Sequence, residues 1–443
     1  MNGHAPSAAE AESLTLDQIF ARSARRFASR IAVQEGRHRL TYAQAERHAT
    51  QLASALVRGG AQLGDALIVH CESHRQALVA QLAVLKAGGV CVPVSRSPGG
   101  PEVLRLAEWS GARAILCSRS TYVHGGGPGT RVASLVLDDP ATWRKIAGVA
   151  AEPALPRSGP EEAAHLVFHR ASGRLVDHRT WGSSLAARVR RVGRAARTVI
   201  IDEPPMAPLA LAAMWWAFAG GGTLRTRSPA VDLSWPVVGG VSDAVVLSPE
   251  RYARTLAAAG GGRTPGPGRE PGTIVLFGGG PCASGLVARH FAVRPGTALW
   301  AEFAPRGGPV PWTAQRLLPR DPARAGHQEV GRPVSPVRVR VIGLDGQALP
   351  PGRIGEVVAA GPAWPFEDSW RTGRSARAVP GPEGASLLSS GWYGRWSSDQ
   401  TLEVVGRRLP ESGPTNRLRP PTPSTAPERN RHGSEDLRAT SRG

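Results

Sequence analysis

Lysine is nearly missing from this chain. Of 443 residues only Lys86 and Lys145 are lysine, so the formal charge of +19 rests almost wholly on arginine. Chemistry that needs a compact ammonium charge has only these two candidates, because a guanidinium is a planar fork and not an equivalent cation. The arginines are spread over the whole length, without an interleaved aromatic platform. Clusters such as Arg188, Arg190, Arg191, Arg194 and Arg197 are therefore expected on the wet face of a helix, and nucleic acid is not an expected partner. Cysteine is also scarce. Cys71, Cys91, Cys117 and Cys282 lie far apart with no metal-ligand spacing, and the first three stand in apolar runs as buried thiols, which suits a reducing cytoplasm. A membrane-length run is lacking too: the most apolar stretch, Met206–Ala219, is too short to span a bilayer and is broken near its start by Pro205 and Pro208. Met1–Ser13 is small and polar with two glutamates, which does not read as a signal peptide.

What is present is a long alternation. A hydrophobic share of 41% suits a large protein of several packed layers. Apolar residues at helical spacing predict helices from Leu14 to Phe27 and over Ala43–Val57, Arg75–Lys86 and Val103–Trp109. Further helices are predicted over Trp181–Val192, Leu209–Phe218, Pro249–Ala258 and Ser284–Phe291. Between them, short apolar runs predict strands at Ile31–Val33, Leu40–Tyr42, Leu67–Val69, Val90–Val94, Ala114–Leu116, Leu166–Phe168, Thr198–Ile201, Ala244–Leu247, Thr273–Phe277 and Ala298–Phe303. Residues 123–160 give only a weak pattern, and Gly260–Gly272 reads as a mobile Gly/Pro/Arg loop. Such alternation implies an α/β fold of mainly parallel sheets sandwiched by helices. From Val337 onward the helices stop. The alternating Val337, Val339 and Val341, then Gly355–Val358 and Thr401–Val405, predict a small β-barrel or sheet subdomain. We expect a flexible N-terminus over 1–13, a large domain over 14–408 divided near residue 334, and a disordered Pro/Arg-rich tail over 409–443.

Several motifs, in order and at sensible distances, carry a resemblance. They are Leu40-Thr41-Tyr42-Ala43-Gln44-Ala45, Leu85 to Val94, Gly220-Gly221-Gly222-Thr223-Leu224 and Phe277-Gly278-Gly279-Gly280. Val330-Gly331-Arg332-Pro333, Leu349-Pro350-Pro351-Gly352, Gly355-Glu356-Val357 and Thr401 to Arg407 complete the set. Together they resemble the adenylate-forming superfamily of AMP-dependent synthetases and ligases, most of all the adenylation domains of non-ribosomal peptide synthetases. The resemblance runs from about Leu14 to Arg407. It implies the large N-terminal domain of that fold and an activity that joins a carboxylic acid to AMP. It also implies a carrier protein or other biosynthetic partner. By resemblance, Gly278 and Gly279 belong to the turn under the adenine, Phe303 to the base-stacking motif, Ser172 and Gly173 to the phosphate loop and Arg407 to the end of the large domain.

The same comparison exposes departures. The resemblance asks for a Ser/Thr/Gly phosphate loop followed by Lys; here Phe168–Val176 is short, holds one Ser and one Gly, and has no Lys. It reads as a drifted surface loop, with His169, Arg170 and Arg174 as the substitute cations if charge is retained. Phe303-Ala304-Pro305-Arg306-Gly307 stands where an aromatic is followed by a Mg²⁺-binding Glu, and Gly307 offers no oxygen ligand from a side chain. Glu302 is near, but should face the other way along the strand. The ribose-binding Asp aligns with Trp392, which has one donor and no acceptor. The Asp that pairs with an amino-acid substrate's amine aligns with Pro208, at the head of an apolar helix containing Trp215 and Trp216. The helix reads first as a plain core helix; if a guest binds there, an aryl or aliphatic acid is expected rather than an amino acid. No lysine follows Lys145 to act as a C-terminal catalytic lysine. The expectation is a degenerate member: ATP or AMP bound weakly, Mg²⁺ not bound, no catalytic residue assigned, and a binding or scaffold role. The alternative is an acid–AMP ligase that works alone or with a partner-supplied subdomain.

Overall fold

The computed structural model describes residues 12–95, 99–123, 132–150, 152, 154–169, 172–192, 197–226, 243–259, 272–319, 328–360, 378–380 and 386–407. The expected N-terminal flexible segment (all but its last two residues), the 260–272 loop (all but residue 272) and the 409–443 tail lie outside them.

Helix α1 (Leu16–Arg26) opens on a capping box, the Thr15 amide donating to Gln18 Oε1 at 3.1 Å. After β1 (Ile31–Glu35) and β2 (His38–Thr41), the same device starts α2 (Tyr42–Arg58). The Thr41 amide donates to Gln44 Oε1 at 2.9 Å and the Gln44 amide to Thr41 Oγ1 at 3.2 Å. This box makes Tyr42 the first helical residue, correcting its expected place at the end of a strand. There follow β3 (Ala66–His70), α3 (His74–Lys86), β4 (Val90–Pro93), α4 (Gly100–Ser110) and β5 (Ala114–Cys117). The weakly patterned region contributes β6 (Ala133–Val136) and α5 (Pro140–Ala147), the latter capped by Asp139. Then come β7 (Ala163–His169), β8 (Ser172–Asp177), α6 (His178–Val192), β9 (Thr198–Ile201), α7 (Pro208–Ala219) and β10 (Thr223–Thr226). The chain continues through β11 (Asp243–Leu247), α8 (Pro249–Ala259), β12 (Thr273–Gly278), α9 (Ser284–Val293) and β13 (Ala298–Phe303). Beyond that the described elements are strands, apart from a 3-10 turn at Pro305–Gly307. They are β14 (Thr313–Leu317), β15 (Glu329–Pro333), β16 (Arg338–Ile342), β17 (Gly355–Ala360), β18 (Ala378–Pro380), β19 (Ser386–Trp396) and β20 (Leu402–Arg407).

The strands form two sheets. The smaller runs β6-β5-β3-β4-β7-β8, parallel except for the antiparallel β7–β8 pair. The larger has 14 strands among the described residues, in the order β16-β17-β19-β20-β15-β14-β13-β12-β11-β9-β10-β1-β2, with β18 on β19. Its middle, from β13 to β1, is parallel, and the β-rich segment joins it through β14, β15 and β20. This is the α/β architecture that the alternation predicts. Both rims of the larger sheet carry arginine, Arg39 on β2 and Arg338 and Arg340 on β16.

Two helices have no wet side over most of their length. Every residue of Ala77–Leu85 in α3 and of Leu209–Ala219 in α7 is buried. Helix α3 packs on β1 of one sheet and on β3 and β4 of the other, while α7 packs on β9, β10 and β11. All-round apolarity is what an interior helix requires. A polar chain crosses this core. Trp181 Nε1 donates to His165 Nδ1 at 3.0 Å. His165 Nε2 meets Gln81 Oε1 at 3.1 Å, and Gln81 Nε2 donates to Ala77 O at 3.3 Å. An indole can only donate, so His165 carries its proton on Nε2. Nearby, the Leu16 amide donates to His178 Nδ1 at 3.0 Å. The four cysteines are buried, as their apolar surroundings predict for Cys71, Cys91 and Cys117.

Gly331 holds the junction of β14 and β15. Its φ is +95°, and a Cβ there would lie 2.4 Å from Ala314 O. Gly331→Ala combines left-handed strain with a backbone clash. It should destabilise the protein by at least about 3 kcal/mol in urea unfolding. A variant as stable as wild type would contradict this packing.

Candidate functional site

The larger sheet brings the distant sequence motifs together. Gly278 ends β12 and Phe303 ends β13, and the two are register partners. Both lie at the C-terminal ends of neighbouring parallel strands, where open α/β sheets bind ligands. Gly278, Gly279 and Phe303 thus share one location. Trp392 joins them through its indole contact with Gly279, and Arg407 comes with it as its register partner on β20.

The contents of that location differ from the resemblance. Phe303 is 2% exposed and lies edge-on to Trp312, with ring centres 6.5 Å apart at 83°. Its ring is committed to the core and offers no free face to a base. Trp392 lies against the turn instead: its Nε1 donates to Gly279 O at 2.8 Å. A Cβ at Gly280 would come within 3.1 Å of Trp392 Cζ2, so the ring approaches this closely only because residue 280 is glycine. Arg407 covers the indole, its Cζ 4.9 Å from the ring centre. Under the turn, among Gly278, Gly280, Phe303 and Glu302, a cavity of about 10 Å³ remains. That is room for about one water molecule.

Ser172 and Gly173 lie in the smaller sheet. The expected loop over 168–176 is a hairpin: β7 and β8 stay paired up to His169 opposite Ser172, so only residues 170 and 171 stand between them. Gly173 sits opposite Phe168 within this ladder. The reading of this stretch as a drifted surface loop is corrected at Arg174, which is 7% exposed. Its guanidinium reaches Gly308, where a Cβ would be 2.9 Å from Nη1. Arg170 lies outside the described residues, as does the side chain of His169.

A second correction concerns α6. Arg190 and Arg197 are exposed as expected and Arg194 lies outside the described residues, but Arg188 is 4% exposed. Its Nε donates to Glu302 Oε1 at 2.8 Å, its Nη2 to Glu302 Oε2, and its Nη1 to Ala212 O of α7 at 2.8 Å. The guanidinium also lies over Trp216, 5.4 Å from the ring centre. Glu302 does face away from Phe303, as strand alternation predicts, and both its oxygens are occupied. Arg191 feels the same carboxylate. Burial lowers the Arg191 pKa, Glu302 opposes that, and Arg190 and Arg188 add to it. At the head of α7, Pro208 stands at the first helical position, and Asp202 is tied to Arg251 Nε at 2.8 Å. Glu203 beside it has its pKa raised, chiefly by burial. Among the described residues no group of three His, Cys, Asp or Glu side chains could hold a metal ion.

Sequence reasoning missed Arg188, although a signal was present. Trp181, Leu185, Arg188 and Val192 fall on one helical stripe, so an arginine there points into the core. It also missed that Trp392 would meet Gly279, which the alignment of Trp392 with a ribose-contacting position already hinted at.

The comparisons with known proteins agree with this geometry. The family described as AMP-binding enzyme matches residues 20–364. Phosphinothricin tripeptide synthetase PhsC of Streptomyces viridochromogenes is 28% identical over 406 residues, covering 89% of this chain and 36% of its own length. Tyrocidine synthase 2 of Brevibacillus parabrevis is 24% identical over 416 residues, covering 89% of this chain and 11% of its own. The chain therefore spans about a third or less of these curated relatives. A solved nonribosomal peptide synthetase bound to α-methyl-L-serine-AMP superposes with a TM-score of 0.78 at 22% identity, covering 89% of this chain and 45% of that one. With a family match over most of its length and the same fold in solved relatives, this chain belongs to the AMP-binding enzyme family, and it is built like the adenylation domains of non-ribosomal peptide synthetases.

Proposed function

We propose that this chain is a degenerate adenylation-domain-like protein without acid–AMP ligase activity, serving a binding or scaffold role in a biosynthetic pathway. The observation that carries this reading is the β7–β8 hairpin. Holding a triphosphate takes several backbone amides in a glycine-rich loop and a cation beside them. Here two paired strands with two intervening residues stand in that stretch. The metal side of the chemistry fares no better. Gly307 occupies the position of the metal-binding carboxylate, and Glu302 has both oxygens engaged by Arg188. Magnesium wants free oxygen ligands in near-octahedral geometry. The side chains present do not fit ATP with Mg²⁺, and any remaining nucleotide affinity is weak and metal-independent.

The partners that fit are a carrier protein or neighbouring biosynthetic enzyme in the cytoplasm. An acid guest, if taken, is aryl or aliphatic, since Pro208 stands in place of an amine-binding carboxylate at the head of an apolar helix whose Trp215 and Trp216 are buried in the core. The ligase alternative draws on one observation, the retained pairing of Gly278 with Phe303 at the sheet's C-terminal edge. It requires that a partner supply the missing charged groups.

ATP–pyrophosphate exchange separates the two. With a pool of aryl, acyl and amino acids, the full chain should give no exchange above the protein-free blank. Acid-dependent exchange by the chain alone would overturn the degenerate reading.

A further inference from the structure

We propose that Trp392 is a built-in occupant of the base site, and that removing this one indole opens the Gly279–Gly280 turn to a purine nucleotide. The inference rests on the reading of the chain as a degenerate adenylation domain and names what fills the vacated seat.

The argument is geometric. An indole is a flat aromatic bicycle with a single N–H donor at its edge, and a purine with an exocyclic amine has much the same shape and polarity. Trp392 directs its donor at Gly279 O, 2.8 Å away. Its ring edge lies on Gly280, as close as a glycine allows. Arg407 closes the other side at 4.9 Å from the ring centre. The indole is thus held between the turn and a guanidinium, as a base would be held between backbone and a stacking side chain. The separate cavity beneath the turn, which Trp392 does not line, holds only about 10 Å³ and has no room for a ring of its own. The hold is modest: one neutral hydrogen bond and one cation–π contact, with the indole only half-buried. Once the indole is gone, Gly279 O at its edge loses its donor, the guanidinium above its face loses its ring, and the space the indole held is open. A purine nucleotide suits that space: its exocyclic amine can donate to Gly279 O, its ring can lie under the guanidinium, and its phosphate is drawn by the same positive charge.

Isothermal titration calorimetry with AMP, without divalent metal, tests this on full-length wild type, Trp392→Ala, Trp392→Phe and Arg407→Ala. Trp392→Ala should bind AMP at least about tenfold more tightly than wild type. Trp392→Phe keeps a ring over the turn and should stay near wild type, showing that ring occupancy blocks the site. Arg407→Ala should gain little, because it frees the indole but removes the phosphate partner. Circular dichroism and a cooperative melt establish that each variant is folded. A folded Trp392→Ala protein that gains less than tenfold overturns the proposal. If Trp392→Ala fails to fold, Trp392→Phe decides: tightened AMP binding there, or wild type binding AMP at micromolar level, overturns it equally. The function reading fails on a different result, pyrophosphate exchange by wild type, so AMP binding by Trp392→Ala without exchange supports both.

Discussion

Arg188→Met is expected to lower the free energy of unfolding by about 3–5 kcal/mol. The substitution keeps much of the side-chain length but strands the Glu302 carboxylate, which is 4% exposed, without its bidentate partner. It also leaves Ala212 O of α7 without the donor it now accepts from. A buried carboxylate that loses its cation cannot return to water without opening the fold, and that explains the size of the loss. Glu302→Leu should be similarly harmful, for it strands the guanidinium. The double variant Arg188→Met/Glu302→Leu should recover most of the loss, since a buried ion pair is often no better than well-packed apolar groups of similar volume. Urea unfolding of the four proteins measures the coupling directly. Single variants within about 1 kcal/mol of wild type would show that the pair is solvated and does not tie α6 to β13 and α7.

Acid should destabilise the protein steeply well above the range in which carboxylates titrate. Burial depresses His165 to about 3, helped by its neighbour His178, and burial depresses His178 to about 4. In the unfolded chain both return to about 6.5. Above that pH the two states hold the same neutral rings, and these histidines add no pH dependence. As pH falls below 6.5 the unfolded chain takes up protons that the fold refuses. Stability then drops by up to about 1.4 kcal/mol per pH unit for each ring. The drop levels off near pH 4 for His178 and near pH 3 for His165, so between pH 6.5 and 4.5 the two together remove on the order of 5 kcal/mol. His48 and His70 are lowered in the same direction, also mainly by burial. Urea titrations at pH 7, 6 and 5 check this, and His165→Gln should make the slope shallower. A stability curve flat from pH 7 to 5 would mean that these rings are accessible to water.

The sequence spoke most clearly where local chemistry and burial agree. The apolar runs of α3 and α7 and the alternation of β11 to β13 with helices state their structure locally, whereas the Thr41–Gln44 box went unread and Tyr42 was expected in a strand. It spoke poorly where a strand is made of loop-like residues. Ser172-Gly173-Arg174 in β8 and Gly331-Arg332-Pro333 in β15 form strands because a neighbouring strand supplies the ladder, not through any propensity of their own. Strand β14 was hidden for the same reason, pairing β13 on one side and β15 on the other. Of the site, Gly278 and Phe303 were readable as neighbours because both end strands of adjacent units. The contacts of Trp392 and Glu302 were not. Trp392 and Gly279 are over a hundred residues apart in the chain, and so are Glu302 and Arg188; such pairings follow from sheet order rather than from any local pattern.

The arginines at the two ends of the 14-stranded sheet bear on how this molecule meets others. Unfinished strands invite a neighbour to zip on through backbone hydrogen bonds, and positive charge at the margin makes that approach unfavourable. With Arg39 at one margin and Arg338 and Arg340 at the other, a second copy drawing alongside would press like charges together. Contact with another protein is thereby steered away from strand-to-strand annealing and toward surfaces made by helices and turns, or toward an acidic segment able to neutralise the margin it lines.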